Sequence, residues 1–511
     1  MAELKRTGAR LSTLAVASAA LTGGIGIAAG TASAATATST PTVSEYLAAV
    51  AGGTTDSNGN LTTELRYGVA SIQVGYSVGV DTGRTITSAQ LLCGNATPAI
   101  DLLALSHASA PGSISGDAWC KYETRGQFTP EVVATESGAD SATGSASHTV
   151  TVVLPTTVNI DRFYGDSRYG TGVAASRAAF STAGSADAVV LARGDQFADA
   201  LAGIPLAKAK NGPLLLTPGG LSATSLDSNV KAELERVLPK NHTVYVLGGA
   251  AALPESIANE ITGLGYTVVR LSGQTRFDTA LDIAKDPRAL NNPTTIVVAR
   301  GDDFADALAA GPFAADRDIY NGSPAAIVLS DGPASTATLD PATAAYVNGK
   351  FAEKTQPGDY TVTAIGGGAV AAVARLSPTA AADMSGQGGS DAEGKAIVGA
   401  TRYETAADVA RAGWGTPYGY SPAVEGVVSG TSFADALTGG SYMATLNGPL
   451  LLTDPHQLPA TTANLLSTSG NTLSNVQMFG GPAAVQPTIV AGIRQALQPR
   501  TVTYVYLHLA F

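Results

Sequence analysis

The pentapeptide Phe-Ala-Asp-Ala-Leu occurs three times in this 511-residue chain, at residues 197–201, 304–308 and 433–437. Three identical pentapeptides are not expected by chance, even in an Ala-rich sequence, so they indicate an internal repeat. An element of the form Ser/Thr-Arg-Tyr/Phe-x-Thr lies upstream of each copy, and each such element has a Gly two residues before it. These elements occupy residues 167–171, 275–279 and 401–405.

Two further elements follow each pentapeptide in the same order. The first is a short apolar segment: Leu214, Leu215 and Leu216, then Ile327, Val328 and Leu329, then Leu450, Leu451 and Leu452. The second is a pair of glycines: Gly248 and Gly249, Gly366 and Gly367, and Gly480 and Gly481. This order, found three times, assigns module 1 to residues 158–269, module 2 to 270–396 and module 3 to 397–511.

Within a module, apolar runs alternate with helical patterns. In the first copy, residues 188–192 and 244–247 are continuous apolar runs typical of buried strands, and residues 222–238 form an amphipathic helical pattern. Continuous apolar strands alternating with helices indicate a parallel sheet covered on both faces. We therefore predict an α/β fold of three tandem Rossmann-like, three-layer modules. Residues 500–509 are expected to take the place in module 3 that residues 266–271 take in module 1.

The start of the chain predicts export. A basic start and an Ala/Leu/Gly-rich stretch lead to Ala32-Ser33-Ala34, a small-residue cleavage pattern that indicates a signal peptide over residues 1–34. A retained membrane anchor is the alternative. Residues 35–157 resemble none of the repeats and predict a separate, small β-rich domain. In an oxidising exterior, Cys93 and Cys120 of this domain favour a disulfide over two free thiols.

Composition and motifs restrict the classes of function. The formal net charge is −11, which argues against nucleic-acid binding. The five histidines form no spaced zinc-ligand set, and the sequence has neither a Gly-x-Ser-x-Gly motif nor a Gly-rich phosphate-binding motif. The pairs Asp195/Asp199 and Asp302/Asp306 are not matched in the third copy, which has Thr431 at the first position. We therefore predict a protein that is not an enzyme, has no cofactor and, after signal cleavage, has no membrane segment.

The repeated elements resemble the cell wall-binding repeat 2 family of Gram-positive surface proteins, over residues 158–511. The resemblance implies a pseudo-threefold arrangement of the modules at the cell wall. It also implies non-covalent attachment to anionic secondary wall polymers, with peptidoglycan as the other candidate partner. An Ile-Leu-Leu-type segment is implicated in attachment in that family, and the three apolar segments match it, with Val328 as a departure. Residues 35–157 would then be a displayed interaction domain. The alternative is a secreted, amidase-like wall hydrolase that the repeats target to the wall.

Several repeated residues are candidates for polymer contact. Arg168, Arg276 and Arg402 are the strongest, because a guanidinium binds phosphate or carboxylate bidentately. The alternative is a structural ion pair from each Arg to the repeated Asp. Those carboxylates, Asp199, Asp306 and Asp435, are expected in the first turn of a helix, where they interact favourably with the helix dipole; ligand or cation contact is the alternative.

The remaining repeated residues also have two interpretations. The apolar segments are expected to be core rather than contact surface, and the Gly-Gly pairs to permit a tight turn or to offer backbone N–H groups to an anion. Because protein and polymer are both acidic, binding must use local Arg, backbone N–H groups or a bridging divalent cation. Three copies acting together would add avidity. The Ala/Gly/Ser-rich stretch at residues 377–395 predicts a flexible insertion or linker.

Overall fold

The computed structural model describes residues 40–49, 54–64, 70–106, 112–122, 125–138, 142–153, 157–316, 324–352, 362–384, 396–416, 419–420, 422–469, 472–498 and 500–509. The predicted signal peptide lies outside these residues, as do residues 385–395 of the predicted linker. The preceding part of that linker is helical over Pro378–Met384. The linker prediction is therefore wrong there, because Ala380 is fully buried and holds the helix against the core.

The N-terminal region is β-rich, as predicted. Its strands are β1 Thr42–Ala49, β2 Thr54–Thr55, β3 Leu61–Glu64, β4 Ala70–Gly79, β5 Ile86–Leu92, β6 Ile100–Asp101, β7 Ser113–Tyr122, β8 Gly126–Phe128, β9 Glu131–Glu136, β10 Thr143–Ser147 and β11 Val150–Val153, with a short helix α1 Leu102–Ser106. They form sheets in the orders β1-β4-β7, β10-β9-β5-β6 and β2-β3-β11-β8. Alternate residues of β9 are buried, as expected for a sheet with one face in a core. The predicted disulfide joins Cys93 to Cys120.

The repeats form three parallel sheets. Their strands are β12 Thr157–Gly165, β13 Ala188–Arg193, β14 Leu214–Thr217, β15 Thr243–Leu247, β16 Thr267–Leu271, β17 Ile296–Arg300, β18 Ala326–Ser330, β19 Val362–Ile365, β20 Ala396–Ile397, β21 Gly415–Thr416, β22 Gly419–Tyr420, β23 Val424–Ser429, β24 Leu450–Thr453, β25 Asn475–Phe479 and β26 Thr501–Leu509. The sheet orders are β14-β13-β15-β16, β18-β17-β19-β20 and β24-β23-β25-β12-β26. β21 and β22 form a small hairpin.

Helices cover both faces of each sheet, which confirms the three-layer prediction. They are α2 Arg168–Ala179, α3 Gly203–Ala209, α4 Ser228–Val237, α5 Glu255–Gly263, α6 Arg276–Lys285, α7 Ala305–Asp316, α8 Pro341–Ala352, α9 Gly367–Ala374, α10 Pro378–Met384, α11 Arg402–Trp414, α12 Ala434–Thr445, α13 Ala460–Thr468 and α14 Pro487–Ala496. In β13, Val189 and Leu191 pack with the outer helices α4 and α5, whereas Val190 and Ala192 face the centre. No helix in the described part of the chain is long and apolar enough to cross a bilayer.

A strand that leads into one module completes the sheet of the module before it. β16 completes the sheet of module 1 and β20 that of module 2, and each is followed by the first helix of the next module. β12 leads into module 1 but lies between β25 and β26, in the sheet of module 3. The three modules are therefore closed into a ring by the first strand of the repeat region.

This closure corrects the prediction for the end of the chain. β12, and not residues 500–509, takes the place in module 3 that β16 takes in module 1, and β26 is a fifth strand at the sheet edge. The reason is apolar burial: Val158 and Ile160 of β12 are fully buried in a cluster with Ile489 and Ile493 of α14. On β26, in contrast, Val505, Tyr506 and Leu507 are 41%, 54% and 42% exposed.

The helices α3, α7 and α12, which begin within or just after the pentapeptides, pack against one another around the pseudo-threefold axis. One hydrophobic cluster runs through all three modules, so they share a single core. Ile204 has Gly311 and Gly440 at the equivalent places in the other two copies. A Cβ atom at Gly311 would overlap the Ile204 side chain, and one at Gly440 would lie 2.8 Å from its Cδ1. One large residue and two glycines therefore fill the axis together.

Ring closure predicts where a mutation in β12 acts. Ile160→Ala should lower the free energy of unfolding by about 2–5 kcal/mol, because it leaves a cavity in a full core. Hydrogen exchange should increase in Asn475–Phe479 of module 3 and not in Ala188–Arg193 of module 1. The matched control Val268→Ala, at the equivalent place in β16, should have its effect in module 1. Faster exchange in Ala188–Arg193 alone in the Ile160 variant would contradict the closure.

Candidate functional site

The element Ser/Thr-Arg-Tyr/Phe-x-Thr forms a helix N-terminus in every module. Ser167 is the N-cap of α2 and accepts a hydrogen bond from the Gly170 N–H. Thr275 and Thr401 are the N-caps of α6 and α11, in capping boxes with Asp278 and Glu404. The Ser/Thr-x-x-acidic spacing in copies two and three is a sequence signal for this cap, and our sequence analysis did not use it. The cap fixes each repeated Arg as the first residue of a helix.

Each repeated Arg makes the same two contacts. Its Nη1 donates to the glycine carbonyl at the end of a strand in its own module: Arg168 to Gly194 at 2.6 Å, Arg276 to Gly301 at 2.7 Å, and Arg402 to Gly430 at 2.6 Å. Its guanidinium lies over the Phe of the preceding module's pentapeptide: Arg168 over Phe433 at 5.6 Å, Arg276 over Phe197 at 5.4 Å, and Arg402 over Phe304 at 5.7 Å. Each Arg therefore joins two modules.

The three Phe rings meet one another as well. Their centroids are 5.4 Å apart for Phe197 and Phe304, 5.6 Å for Phe197 and Phe433, and 6.0 Å for Phe304 and Phe433. We call these three rings and the three arginines around them the axial cluster. It lies on the pseudo-threefold axis, at the carboxyl ends of the strands, where ligands of parallel sheets bind.

The repeated Asp carboxylates also act across module boundaries. The carboxyl of Asp435 bonds to Thr171, and that of Asp306 bonds to Thr405. Both threonines belong to the first helix of the next module around the ring. The predicted alternative for the arginines, an ion pair with the repeated Asp, is not the contact that the structure gives: Arg402 pairs at 3.7 Å with Asp303 instead.

In the first copy, Asp199 lies before the helix rather than in its first turn. Helix α3 begins at Gly203, whereas α7 and α12 include Asp306 and Asp435 in their first turns. The helix-dipole interpretation of Asp199 is therefore wrong. What the three carboxylates share is their position beside the first glycine of the Gly-Gly pair.

The first glycine of each pair is required by its conformation and by its neighbour. Gly248, Gly366 and Gly480 have φ of 96°, 88° and 103°, a region that favours glycine. A Cβ atom on any of them would lie no more than 2.6 Å from an oxygen of the repeated Asp. The second glycines, Gly249, Gly367 and Gly481, would meet nothing closer than 3.3 Å. The tight turn thus depends on the first glycine.

Burial perturbs two of the junction carboxyls. Burial raises the pKa of Asp306 to about 6; the charge of Asp303 adds to the increase, and Arg300, Arg402 and the Thr405 hydrogen bond oppose it. Burial also raises the pKa of Asp435, against the Thr171 hydrogen bond and the charge of Arg168. Both junctions are therefore more stable when the carboxyl is protonated.

The apolar segments are buried. Their exposed fraction does not exceed 2% in any of the nine residues Leu214, Leu215, Leu216, Ile327, Val328, Leu329, Leu450, Leu451 and Leu452. Side chains buried to this extent belong to the core and do not form a contact surface.

Two groups of arginines were missed by the sequence analysis. Asp195 and Asp302 are bound by Arg193 at 2.9 Å and Arg300 at 2.7 Å, two residues earlier in each case. In the third copy, Ser429 stands at the position of the Arg and Thr431 at that of the Asp, and their hydroxyl groups hydrogen-bond to each other. This joint replacement was visible in the sequence and explains why no acidic pair recurs.

The second missed group consists of Arg162 and Arg270, each three residues before the repeated Gly. Arg162 is fully buried and donates from Nε to the Gly480 carbonyl at 2.9 Å, and Arg270 donates to the Gly248 carbonyl at 2.9 Å. Both therefore fix the Gly-Gly turn. Among the residues that the structure describes, no group of three His, Cys, Asp or Glu side chains is arranged to hold a metal ion.

Comparison with known proteins identifies the modules. The family model for cell wall binding domain 2 matches residues 162–258, 270–373 and 396–490, one match in each module. The chain belongs to this family. The sequence-based resemblance is thus confirmed, and each of the three cell wall binding domains contributes an Arg and a Phe to the axial cluster.

Relatives and solved structures agree with this family. The N-acetylmuramoyl-L-alanine amidase LytC of Bacillus subtilis (strain 168) is 29% identical over 347 residues, 67% of this chain and 60% of LytC. The amidase enhancer of the same organism is 34% identical over 155 residues, 30% of this chain and 20% of that protein. The chain thus spans about three fifths of the length of LytC and a fifth of the amidase enhancer.

Two Clostridium difficile structures share the fold. Cwp8 has a TM-score of 0.52 at 22% identity and covers 74% of this chain and 60% of its own. Cwp6 has a TM-score of 0.54 at 18% identity and covers 82% of this chain and 66% of its own. At these identities the likeness shows the fold alone, and it is consistent with three-layer repeat modules and a β-rich N-terminal region.

The two glycines of one turn should respond differently to substitution. Gly248→Ala places a Cβ at positive φ against Asp199 and should lower the free energy of unfolding by about 1–3 kcal/mol. Gly249→Ala meets nothing within 4 Å and should change it by no more than about 0.5 kcal/mol. Denaturant unfolding of both variants measures this. Equal losses would show that the carboxylate junction does not constrain the turn.

The raised pKa of Asp306 predicts a pH dependence. Because the folded pKa of about 6 exceeds the ordinary 3.8, the folded state binds the proton more readily than the unfolded state. The stability from this group is therefore fully present below about pH 4 and is lost as pH rises through 6. Relative to Asp306→Asn, the wild type should gain up to about 2–3 kcal/mol between pH 7 and pH 4.

The matched control is Asp302→Asn. The hydrogen bond from Arg300 lowers the pKa of Asp302 below 3.8, so the stability from this group is lost only below about pH 4, and the difference between the wild type and this variant should change little between pH 7 and pH 4. Denaturant unfolding at pH 4 and pH 7 compares the three proteins. A difference between wild type and Asp306→Asn that does not change with pH would contradict the assignment.

Proposed function

We propose that this protein attaches non-covalently to the bacterial cell wall by binding wall polymers through its ring of cell wall binding domains. The observation that carries the proposal is the combination of three family matches in one closed ring with three equivalent arginines at one end of its axis. The N-terminal β-rich domain is then an interaction domain that the ring displays at the surface. Its disulfide suits the oxidising exterior that secretion would provide.

The proposed contact surface is the axial cluster, and the proposed polymer is anionic. One N–H of each repeated Arg is bonded to a glycine carbonyl, so the guanidinium is held in place with further N–H groups available for a phosphate or carboxylate. Arg402 is 33% exposed. The carboxylates of Asp302 and Asp303 lie at the same end of the modules, so a divalent cation between them and the polymer is a second route to the same contact.

We propose that the chain has no catalytic step of its own. The amidase activity in the name LytC belongs to that protein, of which this chain spans 60%. Asp195 and Asp302 are the carboxylates that could form an acidic pair with the repeated Asp. Arg193 and Arg300 bind them, which keeps both carboxylates ionised and engaged in ion pairs. Release of soluble muropeptides from purified walls by the wild-type chain would contradict this part of the proposal.

Attachment is tested by co-sedimentation of the full chain with purified Gram-positive cell walls. A matched wall sample has its secondary polymers removed by acid, which leaves peptidoglycan. We expect binding to intact walls and its loss from the stripped sample. Binding that persists on bare peptidoglycan would move the ligand to the glycan or the peptide. A folded chain that binds neither sample would overturn wall attachment.

The arginines give the sharper prediction. Arg168→Gln, Arg276→Gln and Arg402→Gln should each weaken wall binding about three- to tenfold, and the triple variant by more than about a hundredfold, because three linked contacts add avidity. The control Arg288→Gln removes an exposed guanidinium that pairs with Asp286 outside the axial cluster and should bind normally. Thermal unfolding of each variant separates lost contact from lost folding. A folded triple variant that binds walls like the wild type would contradict the assignment of the three arginines as polymer contacts.

A further inference from the structure

Module 3 has a surface groove, and one wall of this groove is a strand that the described sheets of the other two modules lack. The fifth strand, β26, runs beside helix α14, and the space between them has a volume of about 560 Å³. The sheets of modules 1 and 2 each end at their fourth described strand. The family match in module 3 ends at residue 490, so β26 lies beyond it. The groove is therefore an addition to the repeated architecture.

The lining of this groove combines aromatic rings with polar groups. Tyr504 and Tyr506 project from β26, with ring centroids 4.4 Å apart, and Tyr506 is 54% exposed. Arg494 of α14 lies over the Tyr504 ring at 5.8 Å. Gln495 and Gln498 line the opposite wall and are exposed. No Asp or Glu contributes to the lining.

The aromatic row continues along the same face of the sheet. His508, two residues beyond Tyr506, stacks on Tyr164 of β12 with centroids 4.5 Å apart and bonds to Asp166 at 3.1 Å. Alternate residues of a strand share a face and advance about 6.6 Å, so the row from Tyr504 to His508 is about 13 Å long. This length accommodates more than one sugar ring, and the groove forms the part of the row from Tyr504 to Tyr506.

We propose that this groove binds a linear saccharide chain of the cell wall. Sugar rings present C–H groups on one face and hydroxyl or acetamido groups at their edges. The exposed ring of Tyr506 suits the C–H groups, because an aromatic face is negative and apolar. The Gln amides and the Arg494 guanidinium supply donors, and the amide oxygens supply acceptors, for the polar edges. The absence of acidic groups from the lining admits a neutral or anionic chain.

The competing occupant is the edge of a second copy of this protein. Such pairing would use the free edge of β26, together with Val505 and Leu507 on the opposite face, which are 41% and 42% exposed. The groove residues favour the saccharide, since their polar groups converge on the face that α14 bounds and not on the strand edge. The proposal that the saccharide belongs to the cell wall rests on the proposed wall attachment, whereas the proposal of a saccharide site in the groove does not.

The test uses the full chain and two soluble probes: chitohexaose and glycan strands of peptidoglycan freed of their peptides. Calorimetry or tyrosine NMR shifts should report binding of at least one probe by the wild type. Tyr506→Ala should weaken it at least about tenfold, and Val505→Ala, on the opposite face of the same strand, should not. The proposal would be overturned if the wild type bound neither probe, or if the wild type and Tyr506→Ala bound the probes equally well.

Two further measurements keep this test distinct from wall attachment. The Arg168/Arg276/Arg402→Gln triple variant should lose wall sedimentation but retain saccharide binding, because its substitutions lie at the axial cluster. If the wild type binds the saccharide and fails to sediment with walls, attachment fails and the groove stands. Sedimentation velocity should show the same mass for wild type and Leu507→Ala; a wild-type dimer that this variant dissociates would assign β26 to a second copy and overturn the saccharide proposal.

Discussion

The structure depends on one constraint: each sheet is completed by the strand that leads into the next module. In modules 1 and 2 this strand follows directly in the chain, but in module 3 it is β12, from the start of the repeat region. Arg162 of β12 donates to the Gly480 carbonyl across 318 positions of sequence. The rule can be satisfied for all three modules only in a closed ring. A single module in isolation would lack either a strand of its sheet or the sheet that its first helix packs on.

Closure places one pentapeptide from each module on a common axis, where the space for equivalent side chains is limited. The identical Phe residues fit because they meet edge to face and at a tilt. Seven positions later the copies differ, with Ile204 facing Gly311 and Gly440. Modules that began as equivalent repeats have therefore become complementary, so that their order in the chain is part of the packing. The Ile204 side chain of module 1 fills the space that Gly311 and Gly440 of the other two modules leave open.

Most of the fold could be predicted from sequence because parallel strands such as β13 are apolar on both faces, which few other structures permit. The ring closure could not, since residues 157–165 and 500–509 both have strand-forming sequences. Only the burial of Val158 and Ile160 against α14 decides between them, and that packing involves residues more than 300 positions away. The repeated Asp shows the same limit. An ion pair with the repeated Arg was one interpretation of it, but Asp306 and Asp435 instead bond to a Thr in the next module. The capping boxes and the position of Arg162 three residues before a repeated Gly are local sequence signals, and they could have been used to predict parts of the site.

An acidic protein can bind an acidic polymer only where its local charge differs from its average, and the axial cluster is such a place. The rim carboxylates Asp195 and Asp302 are neutralised by Arg193 and Arg300 within their own turns. The junction carboxyls of Asp306 and Asp435 are buried, and their raised pKa values lower their negative charge. The guanidinium groups on the axis are held in register by glycine carbonyls and Phe rings, with the Asp303 carboxylate 3.7 Å from Arg402. The contacts that join the modules are thus the same contacts that hold these positive charges together at one end of the axis.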